Sequence, residues 1–351
     1  MDIIVIMDTI IQNLQNKINI LSKLFVFALL LLFVTGCGKD IVSQSSDFSS
    51  DLESSVISTE NSGALHRMEV VLDGKKYIYN DHLTNIVIMG VDNESIPETS
   101  VGSPSSGQAD TIYLVSFDRV TGKLNVISIP RDTITEVDVF DRDDEPLGPS
   151  TLQITLAYAF GDGKHGSCLN VKEAVSRLFY RLPIQNYCSL TLESMEKICE
   201  LFGTISVTIP NDSLVKVYPN MSKGAVVDLT AQNVEAYLRY RDTTVSHSAL
   251  LRSERHHAFL KACEEQILQD FYNDPEKIAD VYEDFSPYMI TNMNVGQIAE
   301  IFEKLDTDTP IHSWTVPGKA VTTDKYDEFH IDEDALYNQI IMCFFEEVTS
   351  E

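Results

Sequence analysis

Basic residues are scarce in this 351-residue chain: 26 lysines and arginines face 53 aspartates and glutamates, for a formal charge of −27 at neutral pH. Such a field repels polyanions, which excludes a general binder of nucleic acid or of anionic bilayers. An anionic substrate would need a local cluster of arginines, or a metal. Zinc spacing is also missing, because no CxxC or Cys/His pattern occurs among the six cysteines. Cys168, Cys188, Cys199, Cys263 and Cys343 follow Cys37, and an odd number cannot all pair. Cys168 with Cys188 or Cys199 suits a disulfide, and a buried apolar role suits them equally. There is no internal repeat. The length allows one large domain or two ordinary ones, with ample core either way.

No long apolar run is present near the N-terminus either. Leu24–Val34 falls short of the ~20 residues that a membrane span needs, and it follows Lys17 and Lys23 as the core of a signal peptide does. Val34-Thr35-Gly36-Cys37 matches the bacterial lipoprotein cleavage box, so residues 1–36 read as a signal peptide and Cys37 as the lipidated mature N-terminus. An uncleaved signal anchor is the alternative, and translation starting at Met7 is another. Either leader places the rest of the chain at the outer face of the cytoplasmic membrane. Removing residues 1–36 takes away Asp2, Asp8, Lys17 and Lys23, so the exported part stays equally acidic. Residues 37–64, rich in Ser, Asp and Glu, read as a tether. The folded part is expected from about residue 65, with 274–351 as its C-terminal extension.

Met68–Leu72, Asp73-Gly74 and Lys76–Tyr79 have the pattern of a β-hairpin. Asn85–Asp92 (NIVIMGVD) reads as a strand. A polar loop follows, and Gln108–Asp132 then reads as two strands joined at Thr121-Gly122. The acidic segment Val137–Ser150 reads as irregular, and its run Asp138–Glu145 as a solvated loop, since it lacks the glycine and spacing of an EF-hand. Asn170 with Glu173 resembles a capping box opening a helix with Val171, Ala174, Val175, Leu178 and Phe179 on its apolar face, ended by Pro183. A strand at Tyr187–Leu192 leads to a helix carrying Met195, Ile198, Cys199 and Phe202, stopped at Gly203. Ile205–Ile209 is strand-like. Thr230 is expected to cap a short helix running into Tyr237–Thr243. A long helix over about 248–272, a helix at Val295–Leu305, a strand at His312–Val316 and a final helix over about Asp332–Glu347 complete the pattern. Strands alternating with helices imply a sheet covered on both faces.

Three acids and one guanidinium punctuate the central stretch. Asp92 closes the first strand, Asp110 opens the second, and Arg131-Asp132 follows the third. If those strands are neighbours, the four gather at one rim, where carboxylates could hold a divalent cation and the arginine an anion.

The central stretch, with AYAFG (157–161), LRYRD (238–242) and the RxxR of Arg252–Arg255, resembles the LytR-CpsA-Psr family of cell-envelope enzymes over roughly residues 85–273. The resemblance implies a three-layer α/β/α sandwich with a central mixed sheet and an apolar groove for a polyprenyl tail. It also implies transfer of a glycopolymer from polyprenyl pyrophosphate to peptidoglycan, releasing polyprenyl phosphate with Mg2+ (or Mn2+). On this resemblance Asp92 and Asp110 are the metal ligands, and Arg131, Arg239 and Arg241 contact the pyrophosphate. Asp92 also stands as acceptor of the attacking hydroxyl's proton, and Asp132 as a further site acid. Gln108, Gln153, Arg252, Arg255 and His256 fall at substrate-binding positions. Arg239 and Arg241 are two apart and cannot share a helix face, so the helix is expected to give way to extended chain there.

The sequence departs from the family at Gln108, where an arginine is usual, at Gln153 and Thr155, where lysine and asparagine are usual, and at His256, where glutamine is usual. Two missing cations at a pyrophosphate site cost several kcal/mol, at roughly 1.5–3 kcal/mol for each hydrogen bond to a charged group. Arg142, Lys164, Arg252 and Arg255 are available as replacements. Plainer roles compete: turn and cap positions for Asp92 and Asp110, an ion pair for Arg131-Asp132, and a solvated helix face for Arg252, Arg255 and His256. Two rival functions follow, a binder of polyprenyl-pyrophosphate glycans without turnover and an exported receptor for a soluble ligand.

Overall fold

The computed structural model describes residues 68–93, 95–96, 106–141, 143, 145–240, 242, 251–252, 254–255, 258–259, 262, 282–306, 312–323 and 327–348. Cys37, Arg142, Arg241, His256, the leader and the tether lie outside them.

The described part opens with a hairpin of β1 (Glu69–Leu72) and β2 (Lys75–Tyr79), turned by Asp73 and Gly74 at φ 51° and 73°. Two successive left-handed residues give a turn whose twist matches that of the paired strands. Next come β3 (Leu83–Val91), β4 (Ala109–Asp118) and β5 (Leu124–Ile129), antiparallel neighbours, which meets the condition on which the expected rim rests. Gly122, at φ 71°, sits where an added Cβ would lie 2.2 Å from the Lys304 carbonyl oxygen, so both the turn and its neighbour require glycine.

The segment read as irregular is instead a second hairpin, β6 (Ile134–Phe140) with β7 (Pro146–Gln153). Its alternation is hidden because only Val137 is fully buried. Asp138, expected in a solvated loop, is clasped at both oxygens by Arg177 at 2.8 and 2.7 Å. Asp141 makes the turn, its Oδ1 accepting from the backbone N–H of Asp143 and Glu145.

Helices α1 (Leu156–Ala159) and α2 (His165–Leu178) follow. The expected capping box is therefore wrong: Asn170 lies within α2, which starts five residues earlier. Its opening N–H groups are met from outside by Asp162, whose Oδ1 accepts from Lys164 N at 2.8 Å and Ser167 N at 3.0 Å. Glu173 instead pairs with Arg177 and Arg181. The helix stops before Pro183, at Tyr180 and Arg181 with φ 53° and 65°. Its expected face is buried.

β8 (Asn186–Leu190), α3 (Glu193–Phe202), β9 (Ile205–Thr208), β10 (Val226–Leu229) and α4 (Val234–Arg239) come next. Thr230 is not the cap of α4. Asn233 holds the N-cap position, and its side chain accepts from Thr230 N at 2.8 Å. β11 (Met289–Thr291), α5 (Val295–Lys304), β12 (His312–Thr315), β13 (Gly318–Thr322), β14 (Asp327–Ile331) and α6 (Glu333–Phe344) follow. α6 is shorter than expected because Phe345–Glu347 leaves it as β15 and pairs with β2.

The fold is an α/β sandwich around a six-stranded mixed sheet of order β11-β8-β3-β4-β5-β12. Period-two alternation divides the core. Val87, Met89, Ile112, Leu114 and Ile127 face α2 and α6 residues such as Val171, Val175 and Ile340. Ile86, Ile88, Tyr113, Val115 and Val126 face Ile301 of α5. A third cluster joins α3, β9 and α4 around Phe202, Val207, Tyr237 and Phe259. Chain after residue 274 supplies both edge strands of the sheet. Cys168, Cys188, Cys199 and Cys343 are free thiols, so neither Cys168–Cys188 nor Cys168–Cys199 is joined.

Candidate active site

The alternating directions of β3, β4 and β5 decide where the chemistry gathers. β4 runs antiparallel to both neighbours, so the end of β3, the start of β4 and the end of β5 lie side by side on one rim. β8 runs parallel to β3, and β12 parallel to β5, so their ends reach it too. The edge carrying Asp92, Asp110 and Arg131 is thus dictated by the strand order.

Within it, Arg131 lies between two carboxylates. Its Nη1 donates to Asp110 Oδ1, and its Nε lies 3.4 Å from Asp132 Oδ1. Asp110 and Arg131 are 30% and 39% exposed, which leaves both open to a ligand. Asp92 is clasped by backbone: its N–H donates to Gln108 O at 3.1 Å, and its Oδ1 accepts from Gln108 N at 2.6 Å. Gly107, at φ 82°, makes the turn that permits the clasp, since an added Cβ would strike the Asn93 side chain at 2.6 Å.

Asp110 titrates above the usual 3.8. Burial is the first cause and the negative charge of Asp92 adds to it, while Arg131 and Arg252 oppose. Asp110 and Asp92, each with one oxygen free of hydrogen bonds among the described residues, form a donor set that suits a hard divalent cation. Among the described residues no group of three or more His, Cys, Asp or Glu converges on a point. Mg2+ is commonly held by one or two carboxylates, with water and substrate phosphate as its other ligands, so this pair fits it.

The other expected residues divide. Gln153 stands at the rim, with Nε2 donating to Asp132 Oδ1 at 3.1 Å and Asp327 O at 2.7 Å. Arg252 is near enough to act on Asp110. Arg239 is exposed at the last turn of α4, 2.5 Å from Glu235, and the helix gives way to extended chain at Tyr240 as expected. Arg255 is different. It is 1% exposed, Nε donates to Tyr237 O at 2.9 Å, and Nη1 and Nη2 donate to Ser213 Oγ and Tyr240 O. Burial lowers its pKa to about 10. The solvated-face reading is wrong for Arg255, which instead fixes the chain on either side of Arg239.

Sequence reasoning missed how α1 is tied to the rim. Thr155 N donates to Arg131 O at 3.1 Å, and Thr155 O accepts from Ala109 N at 3.4 Å, so the backbone of one residue holds the end of β5 against the start of β4. The only signal was the position of Thr155 among the departures from the family, and its buried Oγ1 has no partner among the described residues.

The profile of the LytR_cpsA_psr family matches residues 46–340, most of the sequence. The chain belongs to the LytR-CpsA-Psr family. The polyisoprenyl-teichoic acid–peptidoglycan teichoic acid transferase TagU of Bacillus subtilis strain 168 is 26% identical over 159 residues, which are 45% of this chain and 44% of that protein. TagU of Oceanobacillus iheyensis is 30% identical over 125 residues, covering 35% and 33%. The chain thus spans less than half the length of these curated relatives. The LytR-CpsA-Psr fold itself is shared with solved structures. Bacillus subtilis TagV matches with TM-score 0.51 and 20% identity over 75% of this chain and 97% of that one. Protein gbs0355 of Streptococcus agalactiae matches with TM-score 0.54 and 19% identity over 74% and 87%.

Proposed function

We propose that this chain transfers a glycopolymer from a polyprenyl pyrophosphate carrier to peptidoglycan at the outer face of the cytoplasmic membrane, anchored there through Cys37. The observation that carries the reading is the Asp110–Arg131 pair beside Asp92 at one sheet rim. Family membership and the activity for which TagU is named support it.

In this reading Arg131 exchanges its carboxylate partners for phosphate oxygens, which its planar fork contacts at two points. Asp132, held by Gln153, keeps Arg131 oriented. Asp92 and Asp110 would hold Mg2+ or Mn2+, whose chemistry is to neutralise charge on the pyrophosphate oxygens. An acceptor sugar hydroxyl attacks the sugar-side phosphorus. The bond from that phosphorus to the bridging oxygen breaks, polyprenyl phosphate leaves, and the hydroxyl proton passes to Asp92. Arg239, Arg252 and Gln108 are assigned to the phosphates, with Arg241 and His256 joined to them by the family resemblance alone, and Arg255 acts at a distance by fixing the end of α4.

The second reading, a binder without turnover, rests on Gln153, whose amide is engaged by Asp132 and Asp327 where the family places a cation. One assay separates them. The purified chain is incubated with a polyprenyl-pyrophosphate sugar and peptidoglycan fragments as acceptor, and polyprenyl phosphate is followed with and without Mg2+. Metal-dependent release that Asp110→Ala abolishes supports transfer. Binding without release, with release gained on Gln108→Arg, supports the binder.

A further inference from the structure

A cleft of about 440 Å3 lies between the β6–β7 hairpin, the end of α2 and the step from β14 to α6, and the transfer chemistry leaves it unused. Its size falls in the range of small-ligand pockets, roughly 300–1,000 Å3. The register of the hairpin leads into it from the rim. Ile134 lies opposite Gln153 and Glu136 opposite Thr151, so period-two alternation puts all four on one face. Gln153 reaches Asp132 at the rim, and the other three line the cleft. β14 borders the cleft in the same way, with Phe329 N donating to Asp132 O at 2.8 Å and His330 and Ile331 in the wall. Along β6, Glu136 stands ~13 Å of extended chain beyond Asp132, at about 3.3 Å per residue.

We propose that this cleft binds a primary ammonium on an aliphatic chain, carried by a peptide of the acceptor, with Glu136 and Glu333 as its counterions. The inference rests on the transferase reading above and adds to it which part of the acceptor is recognised. The side chains of Glu136 and Glu333 make no hydrogen bond or ion pair among the described residues. The cations nearby are already engaged: Arg177 lies on Asp138 and Glu173, and His330 Nε2 is 2.7 Å from Glu328 Oε2. Tyr180 feels the resulting field. Its phenol titrates above the usual 10.0, because of burial first and then the negative charges of Glu333 and Asp334. Such a surface repels a pyrophosphate or an anionic polymer, which excludes the donor. Among the described residues no three of His, Cys, Asp or Glu converge there, so an organic cation suits the cleft better than a metal ion. A peptidoglycan peptide with a diamino acid brings such a cation, and with its sugar it spans the distance to a hydroxyl at the rim.

The remaining lining suits an amine on an aliphatic stem. Ile134, Leu178 and Ile331 form an apolar floor along which its methylenes can lie while the charged head stays at the carboxylates. Tyr180 walls the cleft at φ 53°, edge-on to Tyr337. A residue other than glycine adopts that conformation at a cost, and such positions recur at ligand clamps. The hydroxyls of Thr135 and Thr151 make no hydrogen bond among the described residues and are available to peptide groups.

The test measures binding of three soluble probes to the full chain in detergent. The first is a disaccharide-peptide of peptidoglycan with its diamino-acid amine free, the second is the same molecule with that amine acetylated, and the third carries the free amine on the sugar instead. The parent is expected to bind the first about tenfold more tightly than the second, the effect of one charge-assisted hydrogen bond. Glu136→Gln and, separately, Glu333→Gln remove most of that advantage. Both still bind the acetylated probe within about twofold of the parent, which also shows that they are folded. A sugar amine bound as tightly as the peptide amine overturns the choice of a peptide. Equal binding of the first two probes by the parent, an advantage that survives both substitutions, or no binding of any probe overturns the cleft. Polyprenyl phosphate release with the first probe as acceptor separates this inference from the reading it rests on. An amine preference that both substitutions remove, without release by the parent, upholds the cleft and sinks the transferase reading. Release by the parent without any amine preference sinks the cleft and leaves the transferase reading standing.

Discussion

Arg131 and Arg255 are the same side chain in opposite surroundings. Arg131 stands at the rim, 39% exposed, shared between the carboxylates of Asp110 and Asp132. Arg255 is buried, and its nitrogens are taken by two backbone carbonyls and a hydroxyl. A guanidinium between part-exposed carboxylates can trade them for phosphate. One that satisfies buried carbonyls cannot leave without stranding them. The first arrangement can act on a substrate, and the second holds a frame.

Removing either arginine should therefore fail in different measurements. Arg255→Ala is expected to lower the unfolding free energy by about 3–5 kcal/mol, because three buried acceptors lose a charged donor, and a urea titration reads this directly. Arg131→Ala is expected to lower polyprenyl phosphate release by about 10²–10³-fold, near the loss of one oriented charge stabiliser, with the urea midpoint unchanged. Arg177 is the intermediate case, two-pronged on Asp138 and 15% exposed. Arg177→Ala should cost about 1.5–3 kcal/mol of stability and leave release intact.

The smallest expected effect is on proton affinity. Asp110 has its pKa raised by burial first and then by Asp92. A raised carboxylate pKa means that the folded state disfavours the charged form. The stability contributed by the protonated form is fully present below 3.8 and is lost as pH rises through the folded value. Asp92→Asn should lower the Asp110 pKa, seen as an acid shift in its carboxyl 13C titration, and Asp110→Asn should not lower the melting temperature at neutral pH. A basic shift in that titration would break the picture of two carboxylates in opposition.

The same contrast governs how much was legible in the sequence. β3, β4 and β5 are apolar runs bounded by charged and turn residues, so their extents are legible, whereas the meeting of Asp110 with Arg131 depended on the strands being neighbours, which their pairing supplies. β6 and β7 carry polar residues on both faces around a single buried Val137, and such a hairpin leaves no alternation to read. The start of α2 was misplaced because its cap, Asp162, stands outside the helix across a glycine, while Asn170 and Glu173 imitate a cap inside it. Arg255 was read as solvated because arginine is ordinarily exposed, and nothing local reveals that Tyr237 and Tyr240 turn their carbonyls toward it. Local pattern gave the strands; long-range hydrogen bonding assigned the arginines.

Single-turnover release of polyprenyl phosphate by Arg131→Lys and Arg255→Lys, at a temperature where both remain folded, tests the division most directly. Arg131→Lys keeps the charge but loses the fork, and should fall about 100-fold or more with unchanged stability, while folded Arg255→Lys retains release within about tenfold of the parent. Full release from Arg131→Lys would contradict the claim that the Asp92–Asp110–Arg131 rim performs the transfer.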